Sequence, residues 1–229
     1  MKLGVLGKRL LCASNFVRQD AYLADIGTDH AYLPLFLLDA GRIVGAVCSD
    51  INSAPLESAK RNAALYGHAE KIKFVLADGA GALADMGITD YTVCGMGGEL
   101  IADIIERAPQ LKSGDVRLIL QPMTKHAHLR RYLAAAGFSV LAEAYSKDAG
   151  KFYVTVVAEY DGRQREISNL EAELGKIEKN KISAEQAGFI KARVASLKRA
   201  ALGKGAGGDD SYEASVLREY EKVVGEIEV

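Results

Sequence analysis

The sequence predicts an α/β fold: a mostly parallel sheet of seven strands with helices on both faces, followed by a C-terminal helical appendage. Three observations predict it. Short apolar runs alternate five times with segments of helical periodicity, which is typical of a parallel sheet covered by helices. Two further apolar runs then follow each other across a tight turn at 147–151, which implies one antiparallel strand. After Tyr160 the apolar residues are spaced three and four apart, as in helices that pack like a coiled coil.

The predicted elements follow one another in the order that such a fold requires. An initial helix is expected at residues 3–13, before the sheet begins. Glycine residues follow several of the predicted helices, at positions where a helix is expected to end. The strands are predicted at residues 22–25, 43–49, 72–76, 91–94, 116–120, 138–145 and 152–159. The helices between them are predicted at residues 32–40, 53–66, within 80–87, at 100–107 and at 125–136.

Three apolar stripes predict the helices of the C-terminal region, so we expect two domains, 1–160 and 161–229. The second domain would be an antiparallel helical hairpin with a further helix; a set of core-covering helices or a dimer interface would show the same stripes. The second and third helices are each expected to begin at a capping-box pair. These pairs are Ser183 with Gln186 and Asp210 with Glu213. The stripes are Ile167, Leu170, Leu174 and Ile177; Ile190, Val194, Leu197 and Ala201; and Val216, Tyr220, Val223 and Ile227.

Composition narrows the class of protein. The 229 residues are 49% hydrophobic and 26% charged, which is typical of a globular protein. No apolar run approaches the roughly 20 residues of a membrane-spanning helix, and the first residues mix apolar side chains with glycine and charge, so no signal peptide is expected. The cysteines Cys12, Cys48 and Cys94 are scattered without metal-ligand spacing. These features predict a cytoplasmic protein with reduced thiols that binds neither a membrane nor a metal ion.

Positive charge is concentrated in two segments, although the net charge is only −1. Residues 1–19 and residues 188–204 contain basic residues and no Asp or Glu. Two local basic surfaces suit a polyanion that touches part of the protein, whereas a solvated helix face would have the same composition. The basic residues are Lys2, Lys8, Arg9 and Arg18 in the first segment, and Lys191, Arg193, Lys198, Arg199 and Lys204 in the second.

The chain is organised around residues 21–34, where an apolar run, a turn containing glycine and a second apolar stretch predict a strand, a turn and a helix. In an open parallel sheet, ligands bind outside the carboxyl ends of the strands. The side chain that ends this strand is therefore expected to face a ligand crevice. Four candidate cofactor-binding residues lie at the strand end and in the turn: Asp25, Ile26, Gly27 and Thr28.

The same turn indicates which kind of cofactor it suits. The second and third glycines of a dinucleotide-binding fingerprint are absent, and Asp29 stands where it would repel a pyrophosphate. A cofactor with a cationic end fits better, and S-adenosylmethionine carries both an ammonium and a sulfonium group. An ordinary turn capped by Asp25 and Thr28 is the alternative.

Acidic residues also end the second and third predicted strands. Asp50, followed by Ile51, stands where doubly wound folds place an acid for ribose hydroxyls, and a helix cap is the alternative. Asp78, followed by Gly79, is placed to accept a hydrogen bond from an adenine amino group, and a plain turn is the alternative. Polar or glycine positions therefore recur along one rim of the predicted sheet, which chance explains poorly. These positions are Asp25, Asp50, Asp78, Gly95 and Gln121.

Six segments combine into a recognisable pattern: DIGTDHAYLP at 25–34, SDIN at 49–52, PLESAKRN at 55–62, DG at 78–79, GMGG at 95–98 and LILQP at 118–122. Together they resemble the bacterial tRNA (adenine-22-N1)-methyltransferase family, over nearly the whole chain including the C-terminal helices. The resemblance implies a Rossmann-like class I methyltransferase sheet, S-adenosylmethionine as cofactor and tRNA as substrate. The family usually has Asn after Gln-Pro, where this chain has Met123, and Gly where this chain has Ala54.

The resemblance also implies an adenine site at the ends of the fourth and fifth strands. Glycines there leave space for a planar base, which would stack on Met96, Tyr32 or His30; a tight strand-to-helix turn is the alternative for the glycine motif. The candidate catalytic residues at these ends are Gly95, Met96, Gly97, Gly98, Gln121 and Pro122, with Cys94 on the cofactor side.

Two further candidate catalytic residues follow from the chemistry of N1 methylation. The N1 atom has a lone pair, so no proton must leave before attack, and the methylated ring gains a positive charge. Asp29 would stabilise that charge electrostatically. His30 would relay a proton from the exocyclic amine, and a helix cap or a core histidine is its alternative.

Two rival functions remain open from the sequence. One is a methyltransferase of this fold that acts on a small molecule or a protein; the basic segments and the appended helices argue against it. The other is a non-catalytic module that binds RNA or a partner, against which the intact acids Asp25, Asp50 and Asp78 argue. A monomer is expected, although the sequence does not determine the oligomeric state.

Overall fold

The computed structural model describes residues 6–178, 181–202 and 211–225. Seven strands form one sheet in the order β3-β2-β1-β4-β5-β7-β6. Strand β7 is antiparallel to both of its neighbours and all other pairs are parallel, so the predicted topology is confirmed. The strands are β1 (Ala21–Ile26), β2 (Ile43–Asp50), β3 (Ile72–Leu76), β4 (Asp90–Gly97), β5 (Arg117–Thr124), β6 (Phe138–Asp148) and β7 (Lys151–Tyr160).

Eight α-helices are described, and those of the first domain lie close to the predicted positions. The predicted helix within 80–87 is wrong, since the structure has only a single 3₁₀ turn, Gly81–Leu83. The predicted start of the first helix falls partly on residues 1–5, which lie outside the described part. The helices are α1 (Lys8–Ser14), α2 (Tyr32–Asp39), α3 (Ser53–Leu65), α4 (Gly98–Glu106), α5 (His126–Ala135), α6 (Asn169–Leu174), α7 (Ala184–Leu202) and α8 (Tyr212–Gly225).

Strands β4 and β5 extend further at their carboxyl ends than the apolar runs predicted. The glycine motif that follows Cys94 continues the ladder, with Met96 opposite Pro122 and Gly97 opposite Thr124. The register shifts twice along this pairing, as in a β-bulge. Polar and glycine residues are held in the sheet by backbone pairing here, so the two strand ends form a fixed edge of the site.

The sheet is buried on both faces, as an interior parallel sheet requires. Alternate residues of β5 enter different cores: Leu118 and Leu120 pack on one face, and Ile119 packs on the other. The first core also contains α4 residues such as Ile101, and the second contains α2 residues such as Leu35. The central strands are therefore clamped from both sides, which fixes the positions of their carboxyl ends.

The C-terminal helices have a core of their own. The predicted cap at Ser183 is confirmed, because its hydroxyl accepts a hydrogen bond from the Gln186 amide at 3.1 Å. At the start of α8 the cap is Ser211, whose hydroxyl accepts from the Ala214 amide at 3.2 Å, and the predicted cap Asp210 lies outside the described residues. The first helix, α6, is shorter than its stripe predicted. The buried residues of this core are Leu170, Leu174, Ile190, Val194, Leu197 and Val216.

Helix α7 also packs against the sheet. Phe189 belongs to the first core, with its ring centroid 5.2 Å from those of His126 and Tyr145. Gly188 lies so close to Phe152 that a side chain there would collide with the ring. The C-terminal helices thus cover the β6–β7 side of the sheet, and the boundary at residue 160 stays a prediction. Among the described residues, no helix is long and apolar enough to cross a membrane.

Candidate active site

The carboxylate of Asp25 lies at the end of β1 and is buried. It accepts hydrogen bonds from the hydroxyls of Thr28 at 2.6 Å and Thr92 at 2.9 Å. The predicted orientation into an open crevice is therefore wrong, because both oxygens are directed to these hydroxyls and the residue is only 7% exposed. Burial raises the pKa of Asp25 from 3.8 to about 6, against the lowering effect of the two hydroxyls. Asp25 stabilises the turn that follows it, and its contact with a cofactor stays a prediction.

The turn after β1 adopts an unusual backbone. Gly27 has φ 69°, and the non-glycine residues His30 and Ala31 have φ 59° and 56°. Left-handed conformations of non-glycine residues cost on the order of 1–3 kcal/mol each and persist where the surroundings hold them. The side-chain amide of Asn62, on α3, donates to the carbonyl oxygen of His30 at 3.0 Å. Helix α3 thus holds the strained part of the turn, at the N-terminus of α2.

Two backbone amides of this turn are bonded within the protein. Those of Gly27 and Thr28 both donate to the carbonyl oxygen of Ser49, at 2.8 Å and 3.0 Å. A phosphate-binding turn instead directs its amides to the ligand. The occupied amides, together with the carboxylates of the turn, favour a cationic ligand over a phosphate.

Asp29 and His30 form the outer surface of the turn. The Asp29 side chain is 84% exposed, and its carboxylate lies 3.2 Å from Nε2 of His30. The imidazole ring stacks on Tyr32, with centroids 5.3 Å apart and an interplanar angle of 19°. The predicted catalytic pair is therefore at the surface, where an incoming substrate can reach it, and His30 is not a core residue.

The glycine motif at the end of β4 meets the turn of β1. Gly27 leaves room for the terminal methyl group of Met96, which a Cβ on Gly27 would displace. A Cβ on Gly98 would collide with the backbone carbonyl of Lys125, so the packing of α4 against the β5–α5 turn requires glycine there. A Cβ on Gly97 would make a tight contact, 3.2 Å, with the hydroxyl of Thr124. The predicted candidates of β1 and β4 are thus brought together.

Gln121 lies at the end of β5 and is fully buried. Its amide nitrogen donates to the carbonyl of Pro122 at 3.3 Å and lies 3.4 Å from the sulfur of Met123. Its amide oxygen accepts a hydrogen bond from Nη1 of Arg9 at 2.5 Å. The sequence placed Arg9 only in a basic segment, because nothing in the sequence shows that α1 reaches the end of β5.

Cys94 lies opposite Gln121 in the ladder between β4 and β5. Burial raises the pKa of the Cys94 thiol to about 12, and the nearby Asp25 carboxylate adds to this effect. The thiol is therefore neutral at physiological pH and contributes as a small packing group rather than as a nucleophile.

The end of β2 carries the predicted ribose-binding acid. One carboxylate oxygen of Asp50 accepts a hydrogen bond from the backbone amide of Asn52 at 2.7 Å. The next residue, Ile51, is 64% exposed although it is large and apolar. An acid with a second oxygen available beside an exposed aliphatic side chain can accept ribose hydroxyls and pack against a planar base.

Asp78, two residues beyond the end of β3, pairs with a partner that the sequence did not indicate. Both carboxylate oxygens accept from the Arg107 guanidinium, at 2.7 Å and 3.3 Å, and these hydrogen bonds lower the pKa of Asp78. Gly79 lies behind the pair with φ 76°, packed near Ile104. The carboxylate is exposed and retains free lone pairs, so its predicted adenine contact is compatible with the ion pair.

These strand ends fit S-adenosylmethionine by their chemistry. The carboxylate of Asp29 suits its cationic groups, that of Asp50 suits its ribose hydroxyls, and the exposed Ile51 suits its adenine. Among the described residues, no group of three or more His, Cys, Asp or Glu side chains is placed to hold a metal ion. A cavity of about 630 Å³ lies elsewhere, lined by residues of α5, by the first half of β6 and by C-terminal residues such as Ile167, Lys176 and Gln186. The candidate site is therefore assigned from its chemistry and not from cavity size.

The structure divides the two predicted basic surfaces. The guanidinium of Arg18 pairs with the buried carboxylate of Asp90 at 2.9 Å, at the amino end of β4 and away from the site. Arg193 pairs with the buried carboxylate of Glu173 at 2.7 Å. These two cations stabilise the fold, so their predicted availability to a polyanion is wrong. Within the described part of the second segment, the exposed cations are Lys191, Lys198 and Arg199, while the predicted cations Lys2 and Lys204 lie outside the described residues.

Comparison with known proteins gives the site its context. A family model described as a methyltransferase domain matches residues 6–156. The tRNA (adenine(22)-N(1))-methyltransferase of Bacillus subtilis is 35% identical over 158 residues, which cover 69% of this chain and 66% of that protein. The match thus spans slightly less than two thirds of the length of this relative.

Solved structures extend the similarity to the C-terminal helices. A Streptococcus pneumoniae protein, assigned as a candidate tRNA (m1A22) methyltransferase, is 33% identical with a TM-score of 0.82, covering 97% of this chain and 99% of that chain. The same protein in complex with S-adenosyl-L-methionine is 35% identical with a TM-score of 0.77, covering 86% and 91%. By sequence, sheet topology and extent, the chain belongs to the bacterial tRNA (adenine-22-N1)-methyltransferase family of class I S-adenosylmethionine-dependent methyltransferases.

Proposed function

We propose that this chain transfers a methyl group from S-adenosylmethionine to N1 of adenine 22 in tRNA. The observation that carries the proposal is the contact between Met96 and Gly27. It joins the turn that suits a cationic cofactor to the glycine motif that leaves space for a base. A donor and an acceptor bound at these two turns would be neighbours, as methyl transfer requires.

The residues of the two turns suit the charge changes of the reaction. S-adenosylmethionine, when bound, would supply an electrophilic methyl group, and the breaking sulfonium–methyl bond would leave the neutral thioether S-adenosylhomocysteine. As the N1–methyl bond forms, the adenine ring would become cationic, and we assign the exposed carboxylate of Asp29 to stabilise that charge. His30 is within hydrogen-bond reach of Asp29 and is our candidate for taking a proton from the exocyclic amine.

The acceptor side supplies space, stacking surface and polar contacts. The stacked rings of His30 and Tyr32 offer a platform for an unstacked adenine, and a base in folded tRNA must leave its stack to reach such a site. Gly95, Met96, Gly97, Gly98, Gln121 and Pro122 would line this side.

On the cofactor side, we assign the ribose to Asp50 and the adenine to Ile51, Asp78 and Gly79. The cationic end of the cofactor would lie at the β1 turn, beside Asp25, Ile26, Gly27, Thr28 and Cys94.

We expect the two regions of the chain to have different roles. We assign cofactor binding and catalysis to residues 1–160, and part of the grip on tRNA to residues 161–229, through the exposed Lys191, Lys198 and Arg199 of α7. The activity would belong to the cytoplasm, where tRNA is modified, and a monomer is the form that we expect.

Methylation of defined transcripts tests the proposal. The purified protein is incubated with methyl-labelled S-adenosylmethionine and either a bacterial tRNA transcript with A22 or the same transcript with G22. Label at A22 as 1-methyladenosine, with none in the G22 transcript, is the expected result. Equal labelling of both transcripts, or labelling only of small molecules or proteins, would overturn it. Cofactor binding without any methylation would instead point to a binding module.

A further inference from the structure

Helix α1 brings a guanidinium group to the acceptor side of the candidate site. Nη1 of Arg9 donates to the amide oxygen of Gln121 at 2.5 Å. The same Nη1 atom would lie 3.7 Å from a Cβ placed on Gly95. Arg9 thus lies across the ends of β4 and β5, at the two strands that carry the candidate acceptor residues.

Contacts with the β6–β7 hairpin, which is not part of the acceptor side, hold Arg9 in position. Its backbone amide donates to the carboxylate of Asp148, at the end of β6, at 3.2 Å. Gly7 lies beside the same carboxylate, so close that a Cβ there would be only 3.0 Å away. The guanidinium carbon lies 6.0 Å from the ring centroid of Tyr153, on β7. The β6–β7 hairpin therefore holds α1 in place, and the guanidinium is directed to the strand ends by this support.

The charge of Arg9 is not neutralised by the described part of the chain. Its side-chain partner is a neutral amide, and the nearby Asp148 bonds the backbone instead. Several other arginines contrast with it, since each pairs with a carboxylate. These are Arg18 with Asp90, Arg107 with Asp78, Arg117 with Glu159, Arg130 with Glu143, Arg165 with Asp161 and Arg193 with Glu173.

We propose that Arg9 binds a phosphate group adjoining the target adenine of the RNA substrate, so that α1 forms one wall of the acceptor site. The proposal rests on the proposed function. A guanidinium offers a planar fork of donors that matches a phosphate, and one N–H already used by Gln121 leaves others for the anion. An extruded nucleotide brings its own phosphates to the rim of the pocket. The methylated base is cationic, so the guanidinium suits the backbone of the RNA and not the base.

Protein variants test the charge and the fork separately. Arg9→Gln removes the positive charge, whereas Arg9→Lys keeps the charge but lacks the planar set of guanidinium donors. Lys8→Gln removes the neighbouring exposed charge and serves as a matched control. We expect Arg9→Gln to weaken tRNA binding about tenfold or more and to reduce the slope of log affinity against log salt by about one. Arg9→Lys should keep most of the slope while losing several-fold in affinity. Lys8→Gln should have a smaller effect, and cofactor affinity should stay at the parent value in all three.

Modified RNA tests the same contact without changing the protein. A tRNA with neutral methylphosphonate linkages on either side of A22 should bind the parent about tenfold more weakly, and the difference should disappear in Arg9→Gln. This arm also decides the question if Arg9→Gln fails to fold.

Three outcomes are distinguishable. Equal binding of modified and unmodified tRNA by the parent overturns the proposal. So does an Arg9→Gln variant with lower melting temperature or turnover but the parent's salt slope, since Arg9 would then only orient Gln121. If the parent neither binds nor methylates A22 tRNA, the proposed function itself fails.

Discussion

The terminal methyl group of Met96 lies against the backbone of Gly27, so that the ends of β1 and β4 touch at the candidate site. This contact depends on the absence of a side chain at Gly27. Because Gly27 also has φ 69°, a larger residue would both strain the turn and displace Met96 from it.

Gly27→Ala should therefore impair the site more than the fold. The left-handed conformation costs alanine about 1 kcal/mol, and displacement of Met96 should weaken cofactor binding by about tenfold. Gly67→Ala is the matched control, because Gly67 has φ 77° and open space around its Cα. Calorimetric titration with S-adenosylmethionine and thermal melting of both variants separate the two effects. Equal cofactor affinity in the two variants would contradict the role of this contact.

Asp50→Ala should weaken cofactor binding without unfolding the protein. Loss of a charge-assisted contact to ribose hydroxyls suggests about 2 kcal/mol, or roughly 30-fold in affinity. Glu70→Ala removes an exposed acid just before β3, at the opposite end of the strands from the candidate site, and serves as the control. Calorimetric titration of each variant gives the comparison. Parent-like affinity in Asp50→Ala would remove Asp50 from the cofactor site.

Asp29→Asn should lower turnover far more than cofactor affinity. The substitution keeps the shape of an exposed side chain and removes the charge that would face the cationic product ring. We expect single-turnover methylation of tRNA to slow by about 100-fold, with less than a threefold change in cofactor affinity. Equal losses in binding and rate would assign Asp29 to cofactor binding instead.

Much of the fold was predictable from the sequence, because it depends on local pattern. Apolar runs located all seven strands, and the final tight turn indicated the antiparallel strand. The extension of β4 and β5 through their polar ends was not predictable, since backbone pairing between Met96 and Pro122 maintains it, not side-chain burial.

The site was predictable as a set of residues but not as a set of contacts. The ligand rim followed from the positions of acids and glycines at strand ends. The partners of those residues are distant in sequence: Asp78 is 29 residues from Arg107, and Gln121 is 112 residues from Arg9. Such pairs are set by the register of the sheet and the placement of helices. The sequence therefore showed that Arg9 and Arg18 belong to one basic segment, but not that Arg18 pairs with a buried carboxylate while Arg9 reaches the candidate site.

The buried carboxylate of Asp25 should make stability depend on pH. Its pKa is raised from 3.8 to about 6, so the folded state holds a proton that the unfolded state releases between these values. The contribution of this group to stability is therefore greatest below about pH 4 and falls as pH rises to about 6, by on the order of 3 kcal/mol. In Asp25→Asn this dependence should be absent. Urea denaturation of parent and variant at several pH values from 4 to 7.5 measures it, and a constant difference between the two curves would contradict the buried, protonated state.

The exposed cations of α7 should contribute to tRNA binding through charge alone. Lys191 and Lys198 are seven residues apart and lie on one face of the helix, whereas Arg193 is committed to Glu173 and must be left intact. Reversal of both lysines, K191E/K198E, should leave melting temperature and cofactor affinity unchanged, weaken tRNA binding, and lower the salt slope by about two, because fewer counterions are released. The control K71E/K73E makes the same charge change at two exposed positions near the amino end of β3. These positions are far from the carboxyl ends of the strands, which form the candidate site. Filter binding of tRNA across a range of salt concentrations gives both quantities. If K191E/K198E binds tRNA with the affinity and slope of the control, α7 is not an RNA surface, and the C-terminal helices then serve to cover the β6–β7 side of the sheet.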